Sequence, residues 1–169
     1  TQRTSSAASD VYKRQSIFNP PSRLALSAKD YQEANKINKE QGMGLSKQSW
    51  FLFKKIKEID SFLEIRNRPS VFESHPELVF QVMKGEAIKT KKNTQEGLKE
   101  RIDILVENGF DKKFIDKFIN EKNSFYKNDD FIDSCSLFWS AKRAGKKNEI
   151  QIPKKIIKDE KGIIMQMKI

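Results

Sequence analysis

Apolar residues recur at helical spacing through most of this chain, and glycines, prolines and capping residues cut the recurrence into segments. Tyr31, Ala34 and Ile37 predict a helix that Ser27 and Asp30 open and that Gly42 and Gly44 end. Ser46 predicts the cap of the next helix, whose stripe runs through Trp50, Phe53, Ile56, Ile59 and Phe62/Leu63. Phe51 and Leu52 widen that stripe, so this helix is expected to be covered on more than one side. Further helices are expected from Thr94 to Asn108 (Leu98, Ile102, Leu105, Val106), ended by Gly109, and behind Asp111 (Phe114, Ile115, Phe118, Ile119). Asn128/Asp129 predict the cap of a long helix through Phe131, Ile132, Cys135, Phe138 and Trp139, ended by Gly145.

Extended segments are few. Ile17–Leu26 reads as a loop stiffened by Pro20 and Pro21. Val71 and Phe72 predict a short buried strand leading through Glu73 into a helix that starts at Pro76 and stops at Gly85. Gly162–Ile169 alternates weakly and is expected to be a strand pairing with Gln151–Pro153 or nearby. A lone buried strand needs partners for its backbone groups, which predicts further strands upstream. No internal repeat or low-complexity linker interrupts the chain.

Composition narrows the function classes. At 169 residues, with twelve Phe and two Trp, the chain can bury one ordinary core. One Cys and one His exclude a disulfide framework and any Cys/His zinc cluster. No apolar run reaches the length of a membrane span and the first thirty residues hold no apolar signal core, so a cytoplasmic location is expected. Residues 1–15 lack apolar periodicity, and Ser5–Gln15 looks like the translation of a sequencing-library adapter. The expectation is a disordered read-through, with residues 16–169 forming the C-terminal part of one domain. The formal net charge is +10, of which Arg3, Lys13 and Arg14 against Asp10 account for +2, leaving +8. That excess suits a polyanionic partner and equally a solvated lysine-rich surface.

Three carboxylate groupings could carry chemistry. Glu73 stands at a strand end, where open α/β sheets gather functional groups. Asp129, Asp130 and Asp133 open the last long helix, and spacings of three and four put Asp133 on the side of both others. Ile132, Cys135, Leu137, Phe138 and Trp139 surround Asp133 with core-type residues, so its carboxyl must be paired, protonated or metal-bound. Two carboxylates one turn apart plus one from a strand end are a set that Mg²⁺ or Mn²⁺ accepts; a capped, solvated helix start explains them as well. Glu77 suits the positive end of its helix. His75 is a candidate helix cap or acid–base group. Cys135 reads as a packed thiol. Lys89, Lys91 and Lys92 could meet phosphates or form a solvated loop.

An ordered set of motifs sharpens this picture. Asn19-Pro-Pro-Ser-Arg23, Tyr31-x-x-Ala34-Asn35, Gly44-Leu-Ser46-x-Gln48-x-Trp50 and Lys55-Ile56-x-Glu58-Ile59-Asp60 come first. Glu73-x-His75-Pro76-Glu77, Lys91-Lys92-x-Thr94-x-Glu96-Gly97-x-x-x-Arg101 and Asp129-Asp130-x-x-Asp133 with Trp139-x-Ala141-x-Arg143 follow. In this order they resemble the predicted RNase H-like nucleases grouped as domain of unknown function 429, from about Ile17 to the C-terminus. The resemblance implies an α/β fold, a mixed sheet flanked by helices, N-terminally truncated here and therefore helix-rich. It also implies metal-dependent phosphodiester hydrolysis with Mg²⁺ or Mn²⁺ and a nucleic-acid partner. Glu73, Asp130 and Asp133 would be the catalytic and metal-binding acids, and Arg23, Lys91, Lys92 and Arg101 the substrate-binding cations. Ser134 stands where the family usually has Ala. The first-strand aspartate of such folds has no equivalent here, so the fragment itself is expected to be inactive. A nucleic-acid-binding scaffold without catalysis and a metal-dependent hydrolase of a small phosphorylated substrate are the alternatives.

Overall fold

The computed structural model describes residues 19–65, 70–122, 124–146 and 148–169. Residues 1–15, expected to be read-through, and the first two residues of the entry loop lie outside these. The chain divides into two compact units, one ending at Pro69 and one running from Ser70 to Ile169.

In the first unit a 3-10 turn at Ala25–Ser27 precedes α1 (Tyr31–Glu40), α2 (Lys47–Phe51) and α3 (Phe53–Leu63). Asp30 alone caps α1, accepting from the Glu33 amide at 2.9 Å, while Ser27 belongs to the turn before it. Ser46 caps α2 through the Ser49 amide at 3.0 Å. The single helix expected here is two, broken at Leu52. Phe51 and Leu52 are 78% and 48% exposed rather than covered, because the buried stripe turns inward at Phe53. Ala25, Ala28, Ala34, Leu45 and Phe53 form a small core, with Leu26, Ile37 and Trp50 against it.

Polar side chains finish what this small core begins. Asn38 is buried, and its carbonyl oxygen accepts from the Ser22 amide at 2.6 Å while its amide donates to the carbonyls of Pro20 and Met43. Asn35 accepts from the Leu45 amide and the Tyr31 hydroxyl donates to the Leu45 carbonyl, both at 2.9 Å. Asn19 reaches the Gly44 carbonyl. The proline loop and the turn after α1 carry backbone groups with no ladder to join, and these side chains satisfy them.

The second unit holds α4 (Pro76–Lys84), α5 (Gln95–Glu107), α6 (Lys112–Asn120) and α7 (Asn128–Gly145). Asp111 caps α6 as the sequence predicts, and Thr94, expected as the first residue of α5, is its cap. His75 occupies the cap position of α4 without a side-chain bond; Pro76, which needs no partner, starts the helix instead. Lys127, not Asn128 or Asp129, precedes the first turn of α7. Phe80, Ile104, Leu105, Ile115, Ile132 and Cys135 make one buried cluster drawn from all four helices.

Sheet structure is brief: β1 (Gln151–Ile152) pairs antiparallel with β2 (Met167–Lys168), in register Gln151 to Lys168. Paired bonds between Ile150 and Ile169 extend the ladder. On its other side Met167 makes an isolated parallel bridge to Glu73, whose carbonyl accepts from the Lys168 amide at 2.9 Å. Of the expected Gly162–Ile169 strand only Met167–Lys168 is strand, and it pairs with Gln151–Ile152 as expected. Val71 and Phe72, expected as a buried strand, are 43% and 47% exposed. The extended segment pairs through Glu73 alone.

Candidate functional site

The acidic end of α7 meets the loop between α4 and α5. Asp129 and Asp133 lie four residues apart and so share a face of α7. The Lys92 ammonium stands 3.1 Å from Asp133 and 3.8 Å from Asp129. The Asp133 side chain is only 21% exposed, and burial holds its carboxyl above the ordinary value of 3.8 even though the Lys92 bond opposes the rise. Burial also works against the charged form of Lys92. The Asp133 hydrogen bond, with the charges of Asp133, Asp129 and Glu77, outweighs this and leaves the ammonium pKa raised. Lys92 carries the charge of the pair and Asp133 bears the cost of burial, since Lys92 is 45% exposed and Asp133 is not.

Lys92 is delivered by a loop fastened at several points. Thr94 accepts from the Gly97 amide and donates to the Lys91 carbonyl at 2.8 Å. A Cβ on Gly97 would lie 1.9 Å from that carbonyl oxygen, so only glycine lets the loop close over the start of α5. Glu100 accepts from Lys84 at 2.7 Å and from the Thr90 hydroxyl. The glycine four residues before Arg101 in the sequence motif is thereby explained by packing.

Arg101 and Glu77 form a second pair beside the first. The Arg101 side chain is 4% exposed, and its guanidinium donates to Glu77 at 2.7 Å and 3.3 Å and to the Gly97 carbonyl at 2.9 Å. It also lies 5.8 Å from the centre of the Phe80 ring. Arg101, expected on a phosphate track, has its donors turned inward. The signal for this was in the sequence: Leu98, Arg101, Ile102 and Leu105 share one apolar register, where a cation requires an acid.

The other expected site residues have other surroundings. Asp130 is exposed and accepts from the Lys127 amide at 3.0 Å, which settles a free donor at the helix start. Glu73 is exposed, and its backbone joins β2. Lys91 is exposed at the loop surface. Arg23, in the first unit, pairs with Asp60 at 2.6 Å. Thus Lys92 joins Asp133 and Asp129, with Glu77 and Arg101 alongside, while Asp130 and Glu73 have backbone partners of their own. Among the described residues no group of three His, Cys, Asp or Glu is placed to hold a metal ion. Cys135 is buried and unbridged, its thiol pKa pushed up by burial.

No helix among the described residues is long and apolar enough to cross a membrane. No curated protein and no solved structure matches the chain. A family model described as "Protein of unknown function (DUF429)" matches residues 2–156, a stretch that begins within the 1–15 segment and takes in the whole Lys92–Asp133 cluster. Since the match covers most of the chain, the protein belongs to the DUF429 family.

Proposed function

We propose that the chain is part of a nucleic-acid phosphodiesterase of the RNase H-like kind, dependent on Mg²⁺ or Mn²⁺, with the acidic end of α7 as one wall of its site. The observation that carries the reading is Asp133: a carboxylate kept largely buried, at a cost to its ionised form, beside a second carboxylate on the same helix face. The parallel bridge at Glu73 and the antiparallel pairing of β2 are the local geometry of a mixed sheet, which supports the fold reading. The excess of Lys and Arg over Asp and Glu, 33 against 23, suits a polyanion.

The described carboxylates do not by themselves compose a metal site. Asp130 is engaged with backbone, Glu77 with Arg101, and Asp133 with Lys92. No step through a metal is therefore drawn. The proposal carries the expectation that a first-strand aspartate upstream completes the donor set. The scaffold reading draws on the same commitments, since acids already paired with cations need no metal.

The test compares the 169-residue chain with an extended form that carries further natural sequence N-terminal to it. Each is incubated with single-stranded, duplex and branched DNA and RNA, with Mg²⁺ or Mn²⁺. The proposal expects cleavage by the extended form, lost in Asp133→Asn. Tight binding by the extended form without cleavage in either metal would establish the scaffold instead.

A further inference from the structure

We infer that Lys92 is the resident cation of the acidic end of α7: its ammonium offsets part of the charge of Asp129 and Asp133 from within and competes with divalent metal for the pair. The inference rests on the RNase H-like reading only for the identity of the excluded competitor.

Two carboxylates on successive turns of one helix repel, and the repulsion grows as water is removed. Asp133 is about four-fifths buried, so it requires a cation close by. Lys92 supplies it at 3.1 Å while also standing 3.8 Å from Asp129. This is the place a hard divalent ion would take between two such acids.

Lys92 is also not an ordinary mobile surface lysine. Its neighbour's carbonyl is seated on Gly97 and held by the Thr94 hydroxyl, and Thr90, two residues earlier, is bonded to Glu100. The backbone is fixed on both sides, so the loop presents the Lys92 side chain to the carboxylate pair from one place. The groups facing it are Asp133, Asp129 and Glu77, and Glu77 is itself neutralised by Arg101. One ammonium thus offsets one of the two carboxylate charges that the α7 acids contribute. A divalent ion entering here must displace a charge already fastened in place.

The experiment titrates Mn²⁺ into the 169-residue chain, followed by the electron paramagnetic resonance of free Mn²⁺ and by the thermal midpoint. Wild type and Lys92→Arg, which keeps the charge, are expected to bind Mn²⁺ weakly and to show no rise in midpoint. Lys92→Met should bind Mn²⁺ at least about tenfold more tightly and gain a midpoint rise, because one opposing charge has gone. Lys92→Gln, neutral but still a hydrogen-bond donor, serves if the Met variant does not fold. Adding Asp133→Asn to either should abolish the gain. Equal Mn²⁺ affinity in wild type and the neutral variants, or a gain that survives Asp133→Asn, overturns the inference. Tighter Mn²⁺ binding with no cleavage in the extended form removes the nuclease reading and leaves Lys92 in its role. Cleavage by the extended form with affinity indifferent to Lys92 does the reverse.

Discussion

The two units solve the same problem with opposite materials. In the first, the buried apolar residues are mostly alanines, and the loops are held by Asn19, Asn35, Asn38, Tyr31 and Ser49 bonding to backbone. In the second, four helices share Phe80, Ile104, Leu105, Ile115 and Ile132, Ser136, Ser140 and Gln166 are buried as neutral polar groups, and the charged pairs Lys92–Asp133, Glu77–Arg101 and Lys168–Glu149 pack alongside. A dense, ordered motif therefore means different things in the two places. Asn19-Pro-Pro-Ser and Tyr31-x-x-Ala34-Asn35 mark backbone groups in need of partners, whereas Lys92 to Arg101 and Asp129 to Asp133 mark charges brought together by packing.

The comparison can be broken most severely in the second core. Leu105 is fully buried, and Leu105→Ala should cost about 2–5 kcal/mol through lost contacts and a cavity. Each unit holds one of the two tryptophans, Trp50 and Trp139, so single-Trp backgrounds report them separately in denaturant. The loss should appear in the Trp139 signal. An undiminished Trp139 midpoint would mean that the apolar cluster does not hold this unit together.

Asn38→Ala is the corresponding test of the polar unit. It strands the Ser22 amide and the carbonyls of Pro20 and Met43, and should cost about 1–3 kcal/mol in the Trp50 signal. A change of a few tenths would show that water replaces the asparagine freely.

A smaller effect distinguishes the charges of the second unit from mere surface pairs. Asp133 has its pKa raised by folding, so the folded state holds that proton more tightly than the unfolded chain. Its contribution is complete while the carboxyl is protonated and declines as pH rises through the unfolded and then the folded value. Denaturant midpoints read by Trp139 between about pH 3 and 6 should carry this downward component in wild type and lack it in Asp133→Asn. Parallel pH profiles would remove the burial cost assigned to Asp133.

The smallest effect belongs to Arg23 and Asp60, each 22% exposed. A double-mutant cycle in the Trp50 signal should give a coupling of about 0.2–1 kcal/mol, reduced by salt. A coupling several times larger would make the first unit as dependent on charge as the second.

Helix positions were legible because apolar spacing and caps are local. Asp30, Ser46 and Asp111 each cap the helix that the pattern places after them. The break at Leu52 was not legible, since Trp50, Phe53 and Ile56 continue the period across it. Val71 and Phe72 have strand-forming side chains, but whether a strand is buried depends on which segments lie beside it. At the candidate site, the i, i+4 relation of Asp129 and Asp133 could be read directly. Their joining to Lys92 spans 41 residues between Lys92 and Asp133 and follows from the packing of α5 and α7, which no local spacing encodes.

Gly97 ties the history of two segments together. With 1.9 Å between its would-be Cβ and the Lys91 carbonyl oxygen, the loop from Gly85 to Thr94 and the first turn of α5 cannot change independently. A relative with any side chain at this position must carry a loop of different length or path, and Lys92 would then be delivered elsewhere. Within the family, glycine at 97, lysine at 92 and aspartate at 133 should accordingly be inherited as one covarying unit, lost together wherever the loop is remodelled.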